Sequence, residues 1–250
     1  MSDSMTGSSP RRPSRSRRLL AVAAATAMAG ATLTPLMMAP ANAAVPVGAG
    51  VPAAYTFGPA ASATTLKLCT AGNPLCIATS PSEEFWFSAR AKGGLLKDYR
   101  AELERALDPA GKPIGFARLR FKINGLRSGV TYQVDHPYGS VKLKTNKSDP
   151  NHPKDPAWGS INVTTDAGLC TVTATTPCDW TAVGKAFIGN NPGTAGILRS
   201  VNPTPGALGN IVTAGPVTGA PSGNNLVQVT AVGGAVVVPP VRDFTVQAVA

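Results

Sequence analysis

Two histidines, His136 and His152, are the side chains of this sequence whose ordinary pKa lies near neutral pH. Asp135 precedes the first, and Asp149 and Asp155 flank the second, so acid–base or metal chemistry is one hypothesis for this region. The other hypothesis is structural, because His136 lies in a His-Pro-Tyr-Gly turn and His152 in a proline-rich loop. We favour the structural role for both and expect no metal and no cofactor.

Catalytic motifs are missing from the sequence. No Gly-x-Ser-x-Gly nucleophile elbow occurs, and the chain lacks the alternating strand and helix pattern of the hydrolases that use one. Glu83 and Glu84 are adjacent in a predicted strand, so they would point to opposite faces, which is poor geometry for a glycosidase pair. We therefore predict a non-catalytic protein and assign no catalytic residue, with a small hydrolase of esters or glycans as the alternative.

Aromatic residues are the better candidates for contact with a ligand. Trp158 lies in a polar loop, residues 146–159, and an exposed indole there offers a large flat surface for a sugar ring. His136 and Tyr138 of the nearby turn complete the set of possible ligand-binding residues. Cell-wall polysaccharide or another envelope protein is the expected partner.

These residues are carried by short strands with alternating polar and apolar side chains. Segments 64–68, 83–89, 117–123 and 130–134 are predicted strands, and Ala117–Val134 reads as a hairpin with turns at Asn124-Gly125 and Arg127–Gly129. One segment differs: Leu96, Tyr99, Leu103 and Leu107 recur at spacings of three and four, which predicts a helix over about 95–107. The pattern predicts a mainly β fold, a β-sandwich with one packed helix.

A set of short motifs resembles a family of uncharacterised secreted bacterial proteins. The matching elements are Phe85–Ala89, the alternating arginines before Phe121, the Gly-x-x-Tyr-x-Val-x-His-Pro-Tyr-Gly element at 129–139, and Pro216–Asn225. This resemblance covers most of residues 64–230. It implies an immunoglobulin- or fibronectin-type β-sandwich with a core tyrosine at Tyr132, and it implies no activity.

Four cysteines form two closely spaced pairs, Cys69 with Cys76 and Cys170 with Cys178. Four cysteines allow three pairings, and we favour the two local ones because proline and glycine in each segment bring its ends together. A zinc site would normally need closer spacing, so we expect no metal here. Disulfides persist outside the cytoplasm.

The first 43 residues predict export. A basic stretch, Arg11–Arg18, precedes an apolar segment that ends in Ala41-Asn42-Ala43, which places a cleavage site between Ala43 and Ala44. An uncleaved membrane anchor is the alternative. The arginine pair at 17–18 fits either a twin-arginine or a general secretory route. We expect a secreted or cell-surface protein without a stable membrane span after cleavage.

The predicted organisation is a signal peptide at 1–43, an Ala/Gly/Pro-rich lead-in at 44–63, a β-sandwich at 64–230 and a closing strand or tail at 231–250. The net charge of the full chain is +10, but the leader holds five basic and one acidic residue, which leaves +6. This is mild, so nucleic acid is not an expected partner. The alternating cations at 118–122 and 142–147 predict either a solvated strand face or an anion-binding surface.

Overall fold

The computed structural model describes residues 54–57, 64–70, 72–77, 83–171 and 197–250, with the side chains of 55–57 and 167–171 left out. The predicted leader with its cleavage point at Ala43 and Ala44 lies outside the described residues, as does Cys178. No helix in the described part of the chain is long and apolar enough to cross a membrane.

The described residues form strands joined by turns and loops. Their bounds are β1 Ala54–Phe57, β2 Thr64–Lys67, β3 Glu83–Gly93, β4 Leu96–Leu107, β5 Pro113–Arg127, β6 Thr131–His136, β7 Gly139–Lys144, β8 Lys147–Ser148, β9 Trp158–Thr171, β10 Arg199–Ser200, β11 Gly215–Thr218, β12 Val227–Ala231, β13 Val236–Val241 and β14 Asp243–Ala248. The short strand predicted at 64–68 is confirmed as β2, and the predicted strand at 83–89 is the first part of β3.

These strands build two main antiparallel sheets. The eight-stranded sheet has the order β10-β11-β14-β3-β4-β5-β9-β8, the four-stranded sheet has the order β13-β12-β6-β7, and β1 pairs with β2 separately. The chain passes from the large sheet to the small one between β5 and β6. It returns between β7 and β8, and further crossings lie between β11 and β12 and between β13 and β14.

Apolar side chains from both sheets meet in one continuous core. Tyr99 and Phe121 of the large sheet contact His136 of the small sheet, with ring centroids 5.9 and 5.3 Å apart. Tyr132, the expected core tyrosine, is 2% exposed, and its hydroxyl accepts a hydrogen bond from the Arg127 amide at 2.9 Å. The predicted mainly β fold is confirmed, and two sheets with a shared core fit a β-sandwich.

The helix predicted at 95–107 is wrong, because this segment is β4, the strand between β3 and β5. Tyr99, Ala101 and Leu103 are fully buried toward the core, while the charged residues between them point to the other face. The helical spacing was coincidental, since Leu107 at its end is 37% exposed. Pairing with two long neighbours outweighs the local helical pattern.

The hairpin predicted over Ala117–Val134 is also wrong. β5 pairs with β4 and β9, whereas β6 pairs with β7 and β12 in the other sheet. The turn at 128–130 exists, but it carries the chain between the sheets. The hairpin in this region is β6–β7, which closes through Pro137 and Tyr138 of the predicted His-Pro-Tyr-Gly turn.

Asn124-Gly125 forms a bulge inside β5, and the predicted turn is absent at this point. The pairing register with β9 shifts between Ile123 and Leu126, and Gly125 has a φ of +71°. A positive φ of this kind favours glycine because it has no Cβ. The bulge bends β5 just before the chain leaves the large sheet.

The first predicted disulfide, Cys69–Cys76, is confirmed. Cys69 is 1% exposed and forms an isolated antiparallel bridge with Phe85, so this loop is fastened beside β3. The second predicted pair, Cys170 with Cys178, falls outside the described side chains.

Candidate functional site

The three residues predicted to contact a ligand do not lie together. His136 and Tyr138 are at the turn end of the β6–β7 hairpin, whereas Trp158 lies beside the opposite end, where Arg127 is its partner in the β5–β9 register. Thr131 and His136 are five positions apart along β6, about 17 Å for an extended strand. The structure therefore divides the predicted site into an interior part and a surface part.

His136 is an interior group. It is 4% exposed and packs between Tyr99 and Phe121. Its Nδ1 accepts a hydrogen bond from the Tyr138 amide at 3.3 Å, which is the backbone contact expected for a histidine in this turn. Burial lowers the pKa of His136 to about 4, although the nearby Asp135 opposes the shift, so the ring is neutral at physiological pH.

Tyr138 and Asp135 stabilise the turn between β6 and β7. Tyr138 is 5% exposed, and burial raises the pKa of its hydroxyl well above the ordinary value, against the effect of a hydrogen bond with the Leu198 backbone. Asp135 accepts hydrogen bonds from Ser140 and from Gln133, the latter at 2.9 Å. These contacts fasten the hairpin.

Trp158 is half-buried and anchors the polar loop before β9. His152 stacks on its ring with centroids 4.7 Å apart and planes 18° apart, and the Arg127 guanidinium lies 4.6 Å from the ring centroid. Both are favourable aromatic contacts. Much of the indole surface is thus covered by His152 and Arg127, and the rest faces a pocket.

Asp149 holds the stack of His152 on Trp158 in place. The residue has no exposed surface, and its Oδ2 lies 2.6 Å from Nδ1 of His152. Burial raises the pKa of a carboxyl, but hydrogen bonds from His152 and from the amides of Asn151 and Gly125 outweigh it and lower the pKa of Asp149. The bulge at Gly125 therefore supports the loop by donating to a buried carboxylate.

The pocket beside Trp158 has a volume of about 620 Å³ and a largely polar lining. Backbone contacts define its walls: the Ser128 amide donates to the Ala157 carbonyl at 3.0 Å, and the Gly129 amide donates to Oγ1 of Thr145 at 2.7 Å. Besides Trp158, Pro153 and Pro156, the lining consists of the hydroxyl, amide and charged residues Ser128, Thr145, Asn146, Lys147, Ser148, Lys154 and Asp155.

Lys147 and Lys154 are exposed, and neither has a carboxylate within ion-pair distance among the described residues. Asp155 is the carboxylate among the described lining residues, and its Oδ1 accepts a hydrogen bond from the Ala157 amide at 2.9 Å. The pocket can therefore offer ammonium, amide and hydroxyl donors to a polar ligand.

A second polar region lies on the outer face of the large sheet. The sequence predicted a solvated or anion-binding face at the cations of 118–122, but not the carboxylates that Arg118 and Arg120 contact there. Arg118 binds Asp166 through two hydrogen bonds of 2.8 and 3.0 Å and approaches Glu104 to 3.2 Å. Arg90 contacts Glu102 at 2.6 Å, and Ser88 donates to the same carboxylate at 2.8 Å. We call the group formed by Ser88, Arg90, Glu102, Glu104, Arg118 and Asp166 the outer-face cluster.

Two carboxyl groups of this cluster are sealed from solvent. Glu102 and Glu104 are both fully buried, two residues apart on the same face of β4. Burial raises the pKa of Glu104 to about 9, the charge of Glu102 adds to the effect, and Arg118 opposes it. The carboxyl of Glu104 is therefore protonated at neutral pH. The strand alternation of Asp98, Arg100, Glu102 and Glu104 could have revealed this face.

No group of three or more histidine, cysteine or acidic side chains in the described part of the chain could hold a metal ion. A scan against protein-family models, a search of curated proteins and a search of solved structures each found no match to this chain. The case for a function consequently depends on the geometry described above.

Proposed function

We propose that the protein is an exported, non-catalytic binding module that holds a polysaccharide of the cell envelope in the pocket beside Trp158. The observation that carries the proposal is the pocket itself, which has a volume of about 620 Å³ and is lined by hydroxyl, amide, ammonium and carboxylate groups, two prolines and one aromatic ring. A volume of this size suits a few sugar units, and the lining matches the hydroxyl groups that sugars present.

The aromatic wall of the pocket is held by contacts within the protein. Asp149, His152, Trp158 and Arg127 form a continuous series of contacts from the buried bulge to the surface. Side chains fixed in this way lose little conformational entropy on binding, which favours affinity. The disulfide Cys69–Cys76 supports the exported location, since such bonds persist in oxidising compartments.

The alternative of a hydrolase receives less support from the geometry. Its candidate residues, Asp135 and His136, lie at the far end of the β6–β7 hairpin from Trp158. The buried carboxyl pair of the outer-face cluster has no surface on which a substrate could rest. A general acid must come within hydrogen-bond reach of its substrate.

Retention on insoluble cell-wall polysaccharide tests the proposal. The wild type should be retained, and Trp158→Ala should lose most retention because the pocket wall and the stack with His152 collapse. Trp158→Phe keeps an aromatic ring and should keep most of it. Val212→Ala, at an 83% exposed position in another loop, is the matched control for an apolar truncation. Thermal unfolding of each variant separates loss of binding from loss of fold.

Failure of the wild type to bind any polysaccharide would overturn the proposal, as would full retention by a folded Trp158→Ala variant.

A further inference from the structure

The cations of the described residues fall into two classes by their partners. Arginines on the outer face of the large sheet are matched by carboxylates, as in the contacts of Arg90, Arg100, Arg118 and Arg120. The lysines around the Trp158 pocket have no such partners within the described part of the chain. In the sequence, the arginines of the large sheet and the lysines around the pocket both alternate with other residues. In the structure, they differ in whether a carboxylate lies nearby.

Two exposed lysines line the pocket, and two more lie on the strand that leads to it. Lys142 and Lys144 project from β7, which runs directly into the pocket wall at Thr145, and Lys147 and Lys154 line the pocket itself. The Arg127 guanidinium on Trp158 adds a fifth cation. We call these five residues the lysine surface.

Few acidic groups offset this charge. Asp155 lines the pocket, and Asp135 lies next to β7, where it is held by Ser140 and Gln133. Asp149 is buried and paired with His152. Unpaired surface cations concentrated beside a cleft raise the local concentration of anions.

We propose that the polysaccharide bound in this pocket is anionic, a glycan whose repeating units carry carboxylate or phosphate groups. This inference rests on the proposed function and names its ligand class. Lys142 and Lys147 are five positions apart, a span of up to about 17 Å at extended spacing, which has room for more than one sugar unit. A chain with a charge on each unit can therefore meet several lysines at once.

Lysine suits this task because its ammonium group is a compact charge on a flexible stem and adapts to irregularly spaced anions. The interaction at exposed positions weakens with salt, since the Debye length is about 8 Å at physiological ionic strength. Binding of an anionic glycan should therefore fall steeply as salt is raised, whereas pocket contacts with neutral hydroxyl groups should not.

Affinity measurements with polygalacturonate, a phosphorylated dextran and unmodified dextran test the inference. The wild type should bind the two anionic glycans at least tenfold more tightly than dextran. Lys147→Ala/Lys154→Ala should lose about tenfold in affinity for the anionic glycans and show a weaker salt dependence. Lys67→Ala/Lys112→Ala removes the same charge at exposed positions; Lys112 lies at the far end of β5 from Arg127, and this pair should bind like the wild type.

A preference for polygalacturonate or for phosphorylated dextran would identify the anionic group. Equal binding of dextran, lost in Trp158→Ala and unchanged in the pocket-lysine variant, would overturn the anionic inference and leave the proposed function standing. Binding of none of the three glycans would remove both. Equally tight binding of single-stranded DNA would overturn the assignment to glycans and indicate a general polyanion surface.

Discussion

The outer-face cluster and the lysine surface hold similar numbers of charges and use them in opposite ways. In the cluster, each arginine approaches at least one carboxylate, and Glu102 and Glu104 are withdrawn from water. On the lysine surface the ammonium groups point into solvent, unpaired by the described carboxylates. The charges of the outer-face cluster stabilise the fold, whereas those of the lysine surface remain available to a partner.

The difference follows from position in the sheet. The cluster lies on β3, β4, β5 and β9, four adjacent strands where long side chains from neighbours must meet. The lysine surface lies on the edge strands β7 and β8, on the loop after β8, and at Arg127, the last residue of β5. Lysine on an edge strand also discourages pairing with another chain. Charged side chains on the central strands are therefore paired within the fold, whereas the lysines at the sheet edges remain available to a ligand.

Arg118→Met should give the largest effect on stability, because it leaves the buried carboxyl of Glu104 and the carboxylate of Asp166 without the hydrogen bonds that Arg118 donates. We expect a loss of about 2–4 kcal/mol in the free energy of unfolding, less than for a fully buried pair because Arg118 is partly exposed. Urea unfolding at pH 7 measures it. A loss below that of an ordinary surface substitution would mean that the cluster is not structural.

Glu104→Gln should be stabilising, and increasingly so as pH rises. The pKa of Glu104 is about 9 in the fold and 4.5 in its ordinary state, so the folded protein binds the extra proton between these values and loses stability as pH rises through them. Glutamine does not titrate and avoids this loss. Glu104→Gln should therefore raise the free energy of unfolding by about 1–3 kcal/mol at pH 8 and by little at pH 4.5. Unfolding at several pH values tests it, with the more exposed Glu83→Gln as control.

Destabilisation by Glu104→Gln at every pH would mean instead that Glu104 is ionised and bound to Arg118.

Gly125→Ala should destabilise the loop beneath the lysine surface. An alanine there would adopt an unfavourable positive φ, and its Cβ would lie 3.0 Å from Leu95. We expect a loss of about 1–2 kcal/mol, together with weaker glycan retention because the Gly125 amide supports Asp149. Gly129→Ala has a similar φ with no neighbour within 4 Å, so it should cost less and serves as the control.

Lys147→Met should have the smallest effect on stability, within about 0.5 kcal/mol of the wild type, as for other exposed substitutions. Its effect should appear in the affinity for anionic glycans instead. Comparing it with Arg118→Met in the same unfolding assay tests the contrast between the two regions directly. Equal losses in both variants would show that the lysine has a structural partner.

Local features of this protein were predictable from the sequence, and long-range ones were not. Cys69 and Cys76 are near neighbours with turn residues between them, so their disulfide needed only local reasoning. The segment 96–107 satisfied both a helical and a strand pattern. Its assignment depends on β3 and β5 as hydrogen-bond partners, which no window of the sequence contains.

The candidate site shows the same limit. Trp158 could be singled out as an aromatic residue in a polar loop, but its contact with Arg127 joins residues 31 positions apart across the β5–β9 register. The support from Gly125 to Asp149 depends on a bulge that reads as a turn in the sequence. Because the sequence predicts a helix over 95–107, it also predicts Glu102 and Glu104 as ordinary solvated charges on that helix.

The position of β14 has a consequence for folding kinetics. Residues 243–248 pair with β3 on one side and β11 on the other, so the large sheet is completed by a segment made more than 150 residues after its neighbour β3. Such distant pairing is slow, commonly milliseconds to seconds for all-β proteins. A partly synthesised chain therefore cannot complete its large sheet until synthesis has passed residue 248.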